Sequence, residues 1–307
     1  CRTESYLDQD IKKKIALFCN VESDSVFTAK DVDCIYDVPL VYNKEGLGDT
    51  ILKKLNIWAR APRLDDWKEV VERLKNPRFS VTIAIVGKYV DLTESYKSLN
   101  EALFHGGISN DARVNLTYVD STTLTEDNVK EVLSSSDGIL VPGGFGSRGI
   151  EGKILAARYA RENKVPYFGI CLGMHMAVIE FARNVLNLED AHGEEFDPYT
   201  PDPVIYLMKE WYDEQTQKVE TRDEESDKGG TMRLGAYPCK LHPDTFAMNA
   251  YKIEAISERH RHRYEVNNHY RDRLAAAGMR FSGTSPDDLL VEIVELRDHP
   301  FFIAVQF

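Results

Sequence analysis

The sequence predicts an α/β protein whose mostly parallel sheet carries helices on both faces. Three observations lead there. From Ser80 onward, short apolar runs alternate with segments whose apolar residues recur at helical spacing. Runs such as Ile83-Ala84-Ile85-Val86 and Ile139-Leu140-Val141 are continuous rather than alternating, the mark of strands buried on both faces. And Gly169-Ile170-Cys171-Leu172-Gly173 passes straight from an apolar run into a helical stretch, as a sharp strand-to-helix turn does. Such a sheet is wound with right-handed crossovers and takes its ligands at the carboxyl ends of its strands.

The elements follow in order. Residues 1–57 read as a first unit of short helices and strands, at 11–21 and 32–36, with a helix over 47–55. Residues 58–79 hold Pro62, Pro77 and a charged helix over 64–74, and read as a linker. The remaining unit is 80–307. Its first strand, 81–86, ends at Gly87, and a helix over 95–107 stops at Gly106-Gly107. A strand at 114–119 is followed by a helix over 125–133 capped by Thr125. A strand at 138–141 runs into Pro142-Gly143-Gly144-Phe145-Gly146. The helix over 151–163 turns Ile154, Leu155, Ala157 and Ala160 inward; a strand around Phe168 and a helix over 174–188 come next. Beyond Leu188 the texture loosens: 189–203 is acidic and Pro-rich, 220–227 an acidic surface run, and 229–235 a Gly-rich flap or turn. Residues 302–307 read as a core strand cut at its end, and Cys1 stands where a Met would begin a gene product, so the chain reads as a fragment lacking both ends.

A net charge of −12 over 307 residues argues against a nucleic-acid backbone or an anionic membrane as main partner. Two basic spots, Lys12-Lys13-Lys14 and the run from Arg259 to Arg263, remain for smaller anions. Five scattered cysteines with no C-x-x-C pair give neither a zinc knuckle nor a disulfide framework, which suits the reducing cytoplasm. No apolar run is long enough for a membrane span and no signal peptide opens the chain. His260 and His262 lack a third ligand at sensible spacing, so no metal site is predicted.

Cys171 stands where hydrolases with this turn carry Ser. A lone Cys is most often a small buried hydrophobe. The flanking glycines point instead to a nucleophile lifted clear of the sheet, with the helix N-terminus favouring its thiolate. Attack on a carbonyl makes an oxyanion, which needs donors in a dry site. The backbone N–H of Leu172 and the Gly143-Gly144-Phe145-Gly146 loop offer them; that loop lacks the Lys-Ser/Thr of a phosphate cradle. A base is also needed. None of the eight histidines sits immediately after the last strand. His175, one helical turn from Cys171, is expected to face a ligand rather than the sulfur.

The stretch from Gly169 to Met174, taken with Pro142 to Gly146, resembles the class I (triad) glutamine amidotransferase family, whose fold is flavodoxin-like. Four longer stretches, 143–149, 229–235, 259–267 and 298–302, resemble the branch of that family in which an amidoligase (synthase) domain precedes the glutaminase. Residues 1–57 resemble only the tail of that synthase domain. The resemblance implies hydrolysis of L-glutamine at Cys171 through a glutamyl thioester. Ammonia then passes to the synthase domain, where ATP with Mg activates UTP at O4 and CTP forms. GTP activates, CTP inhibits, and the full-length protein is a homotetramer.

The same resemblance implies residue roles. Gly144, Leu172, Gly173, Met174 and His175 contact the oxyanion or the glutamine. Glu195 grips the α-amino group and Arg263 the α-carboxylate, one charge of each sign for a zwitterion. Lys14 faces UTP or CTP; Lys30, Asp31 and Val32 face ATP; Arg222 is a GTP candidate. Two departures stand out. His175 replaces the usual Gln and is expected to titrate near neutral pH. The family's His-Pro-Glu would follow Phe307, so residues 1–307 are expected to bind glutamine but turn over poorly. Two other readings share the turn, a γ-glutamyl hydrolase-like Cys amidohydrolase and a degenerate regulatory domain. The long 229–235 and 259–263 stretches speak against the first.

Overall fold

The computed structural model describes residues 1–90, 93–207, 210–213, 218–221 and 232–307. Two compact units are present, one of Cys1–Ser80 with Ser98–Val114, the other of Val81–Lys97 with Asn115–Phe307.

In the first unit, Gln9–Cys19 (α1) starts where the Asp8 carboxylate accepts from the Ile11 N–H at 2.8 Å and stops at Asn20, whose φ of 52° ends the helix. Residues 32–36 are not an element of their own; a single 3₁₀ turn, Ile35–Asp37, leads into Val38–Lys44 (α2), with Pro39 in its first turn. Leu47–Lys54 (α3) follows. The expected linker helix is Asp65–Lys75 (α4), and it packs as part of this unit: Val71 is buried and Trp67 stacks on Tyr36 with centroids 6.2 Å apart. The charged look of α4 comes from its outer face; its apolar stripe is what docks it. All of Lys97–Ser109 (α5) but its first residue is grouped here too.

The second unit is built on one nine-stranded sheet. In chain order its strands are Phe79–Gly87 (β1), Ala112–Asp120 (β2), Gly138–Val141 (β3), Tyr167–Ile170 (β4), Arg233–Leu241 (β5), Ala255–His262 (β6), Met279–Thr284 (β7), Val291–Leu296 (β8) and Phe302–Val305 (β9). Their spatial order is β6-β5-β7-β8-β9-β4-β3-β1-β2. The pairs β9–β4, β4–β3 and β3–β1 are parallel. The pairs from β6 through β5, β7 and β8 to β9 are antiparallel. The sheet is therefore mixed, and the loose texture after Leu188 concealed its antiparallel half. Only short connections separate β7, β8 and β9, and such links join antiparallel neighbours. A small sheet of Ala191–Gly193, Asp202–Leu207 and Tyr264–Val266 likewise occupies part of the acidic, Pro-rich stretch.

Strand alternation separates two apolar layers. Phe302 and Ala304 of β9 join the larger cluster with Tyr167 and Val294, while Ile303 and Val305 join the smaller with Ile293. Val129–Leu133 (α6), Ile150–Asn163 (α7), Leu172–Asn184 (α8) and Asn268–Ala276 (α10) feed the larger cluster, and Phe246–Tyr251 (α9) the smaller. Helices thus cover both faces. Helix α6 begins four residues later than expected, because Thr125 spends its backbone on an Asn128 turn instead of capping with its hydroxyl.

Candidate active site

Cys171 sits at the carboxyl end of β4 and is itself the first residue before α8, so the helix starts two residues earlier than its apolar pattern suggested. Its backbone is at φ 51°, ψ −101°, a region that costs a side-chain-bearing residue on the order of 1–3 kcal/mol. The surroundings hold it there. Its N–H donates to the Val305 carbonyl at 2.7 Å, and its carbonyl accepts from Met174 and His175 at 2.9 and 3.2 Å. The two glycines of the motif are required by close approach. A Cβ on Gly169 would meet the Gly173 carbonyl at 2.7 Å, and one on Gly173 would overlap the Val141 carbonyl oxygen.

The glycine loop after β3 faces this turn. The place a Gly143 Cβ would take is 3.5 Å from the Cys171 Cβ, and that of Gly144 is 3.5 Å from Leu172 Cδ2. A cavity of about 240 Å³ opens between them. Gly144, Cys171, Leu172, His175, Glu195 and Arg263 all line it, as do Phe145, Met232, Arg261, His262 and Tyr264. Six expected residues thus come together from four separate stretches of chain. Glu195 is tied to the loop, its Oε1 accepting from the Gly146 N–H at 3.0 Å. Gly173 and Met174 lie below the cavity: Gly173 accepts from the buried Tyr167 hydroxyl at 2.8 Å, and Met174 is fully packed in the core. The same helical turn that exposes Leu172 and His175 to the cavity must direct their two neighbours inward.

Two electrostatic expectations are corrected. The thiol of Cys171 is half-buried, and burial pushes it up to about 12; Glu265 and Glu195 push the same way, against the Leu172 N–H and the Gln306 amide. The helix N-terminus does not outweigh desolvation, so the sulfur rests as a thiol. His175 is lowered to about 4 by burial and does not titrate near neutral pH. Its Nε2 bonds Gln306 Oε1 at 2.9 Å, and Gln306 Nε2 in turn lies 3.9 Å from Cys171 Sγ. Among the described residues the side chain that donates to the sulfur is therefore an amide, not an imidazole.

Sequence reasoning left unassigned several residues that line the cavity. In β6, Arg259 and Arg261 are exposed while His260 and His262 are buried, which is the basic-faced strand its alternation describes. Arg261 reaches the Phe145 ring, its guanidinium 5.7 Å from the centroid. The period-2 pattern of the run was the signal that distinguished Arg261 from its neighbours. Below them Arg233 binds Glu265 and Glu292 at 3.2 and 2.8 Å in a fully buried cluster with His260 and His262.

The residues expected to face nucleotides lie in the first unit. Lys14 is exposed on α1. Lys30 lies over the Tyr6 ring at 5.3 Å, Asp31 pairs with Arg2 at 2.7 Å, and Val32 is partly buried. Arg222 and residues 229–231 of the 229–235 stretch fall outside the described residues. Among the described residues no group of three His, Cys, Asp or Glu side chains is arranged to hold a metal ion, and no helix is long and apolar enough to cross a membrane.

Residues 91–307 match the model of the glutamine amidotransferase class-I family, and residues 1–57 match that of the CTP synthase N-terminus. The chain is 60% identical over 308 residues to CTP synthase from Maridesulfovibrio salexigens and 59% identical over 307 residues to that from Lawsonia intracellularis. All of this chain and 56% of each relative are covered, so it spans about half their length. A solved structure, the glutaminase domain of Trypanosoma brucei CTPS with bound acivicin, superposes with a TM-score of 0.65 at 39% identity, over 74% of this chain and 85% of that one.

Proposed function

We infer, from a chain that belongs to the class-I glutamine amidotransferase family, that Cys171 is the nucleophile of a glutaminase that feeds ammonia to the amination of UTP. The carrying observation is the strained Cys171 at the head of α8, facing the Gly143-Gly144 corner across a cavity that also holds Glu195 and Arg263. A free amino acid zwitterion fits that charge pair: Glu195 takes the α-amino group, Arg263 the α-carboxylate, and the side-chain amide reaches the sulfur. The sulfur attacks the amide carbon, and the backbone N–H groups of Leu172 and the glycine corner receive the oxyanion. Collapse forms the thioester and breaks the C–N bond; the amide nitrogen leaves as ammonia, taking the thiol proton. Water then hydrolyses the thioester to glutamate and restores the thiol.

A thiol held near 12 needs a base at the moment of attack. We assign that part to the His of the family's His-Pro-Glu segment, which follows the residues that Gln306 and Phe307 match. Gln306, oriented by neutral His175, holds the sulfur in place. Its amide is fixed because the imidazole takes its Oε1.

The second half of the reaction rests on the match of residues 1–57 and on the relatives' names. In it ATP, accompanied by Mg, activates UTP at O4, and ammonia displaces phosphate to give CTP, with GTP as activator and CTP as inhibitor. The exposed Lys14 suits a nucleotide phosphate; the Asp31 carboxylate is engaged by Arg2, so Asp31 would meet ATP through its backbone. A cytoplasmic homotetramer completes this reading.

The test uses the full-length protein. A glutamine-analogue electrophile is expected to label Cys171, and glutamine to block the labelling. Cys171→Ala is expected to lose glutamine-dependent CTP formation while keeping the ammonia-dependent reaction. Glutamine-dependent synthesis that survives Cys171→Ala rules the assignment out.

A further inference from the structure

Lys153 is a buried charge without a part in the chemistry above. It lies in the first turn of α7 and is 1% exposed, between Gly152 and Ile154, which are buried as well. Its backbone has little freedom. Gly149 caps the turn with a φ of 75°, and a Cβ on Gly152 would overlap the Ser121 carbonyl oxygen. From there the side chain reaches the back of the glycine loop. The point where Gly144 would carry a Cβ is 3.8 Å from Lys153 Nζ, 3.7 Å from Lys88 Cε and 3.5 Å from Leu172 Cδ2.

The titratable groups facing Lys153 are Lys88, Arg148 and Cys171. The Lys88 ammonium bonds the Phe145 carbonyl, and the Arg148 guanidinium donates to the Lys88 carbonyl at 2.5 Å. Burial first, then the two cations, lower the Lys153 ammonium to about 8, while the Cys171 thiolate favours it. A lysine so placed costs stability that an apolar side chain of equal length would not. Two carboxylates, Glu265 and Glu195, oppose negative charge on the sulfur.

We propose that Lys153 is a positioning residue for the oxyanion: its ammonium, fixed behind Gly144, supplies the positive field in which the loop's backbone N–H groups hold the tetrahedral intermediate. The inference rests on Cys171 as nucleophile. The negative charge moves from sulfur to the former carbonyl oxygen during attack, in the cavity that Gly144 and Cys171 both line. In a dry site an ammonium at this range is screened far less than in water. It offsets the two carboxylates without touching substrate.

The test compares Lys153→Met and Lys153→Arg in the full-length protein. Lys153→Met is expected to lower glutaminase kcat by about 10- to 100-fold, with KM for glutamine changed by no more than about twofold. Ammonia-dependent CTP formation should stay at the wild-type rate, which shows the variant is folded. Wild-type kcat should fall as pH rises through about 8, because the needed ammonium is present below that value and lost above it. Lys153→Met should lack this step. Lys153→Arg should retain most activity and carry the step beyond the measurable range. Wild-type kcat in Lys153→Met, a loss seen only in KM, or the same alkaline step in either variant overturns the proposal. If Lys153→Met does not fold, the step in Lys153→Arg decides. Absence of glutamine-blocked labelling at Cys171 in the wild type would instead remove the underlying reading.

Discussion

At Cys171 function and backbone strain share one residue. A side-chain-bearing residue at φ 51°, ψ −101° is strained, and glycine is not. Cys171→Gly is therefore expected to be more stable than Cys171→Ala by about 1 kcal/mol, the reverse of the usual order. Denaturant titration of the two variants measures it, and an Ala variant at least as stable as the Gly variant contradicts the strain. The next shell is equally specific. His175 is neutral because burial holds it near 4, so its bond to Gln306 persists from pH 5 upward. His175→Gln retains a partner for Gln306, whereas His175→Leu leaves the amide unoriented. We expect labelling of Cys171 to be near wild type in the first and about tenfold slower in the second. Equal rates would show that the amide does not depend on position 175. Cys171 and its flanking glycines were legible in the sequence; the resting protonation of Cys171 and His175 was not, since burial by distant segments sets both.

The turn between β4 and α8 is a device of the element, not of one side chain. Gly169 and Gly173 let strand, helix and β3 approach within van der Waals distance. Gly173→Ala is expected to cost about 2–4 kcal/mol and to abolish labelling of Cys171. By contrast, nothing lies within 4 Å of the place a Gly106 Cβ would take in α5. Gly106→Ala should accordingly stabilise by about 0.5–1 kcal/mol, because alanine loses less conformational freedom in a helix. Thermal melts of the two variants separate these effects. The buried cluster across β5, β6 and β8 is a second device. Arg233 binds two carboxylates, and Glu292 is raised by burial and held down by Arg233. Arg233→Met should cost about 3–5 kcal/mol, and adding Glu292→Gln should recover part of that loss. A double variant no more stable than the single one contradicts the coupling.

Across the whole molecule, buried histidines set the response to acid. His175 and His260 are lowered to about 4 and 3, and His262 lies well below its usual range, all mainly through burial. In the unfolded chain each takes a proton near 6.5. Stability is thus fully present above about pH 6.5 and is lost as pH falls toward the folded values, because unfolding then binds protons. The melting temperature should drop between pH 7 and 5, and drop less in His260→Gln; an equal drop in both would place the acid sensitivity elsewhere. The parallel half of the sheet, the turn at Cys171 and the glycine loop were all determined by the sequence itself. Each depends on neighbours within a few residues: continuous apolar runs, flanking glycines, a strand ending in a turn. The antiparallel half, the docking of α4 and the gathering of Glu195, Arg261, His262 and Arg263 around one sulfur were decided only by the tertiary structure. Those residues lie 24 to 92 positions from Cys171 along the chain, and nothing in a local pattern fixes which distant segments will desolvate a thiol or pair its charges.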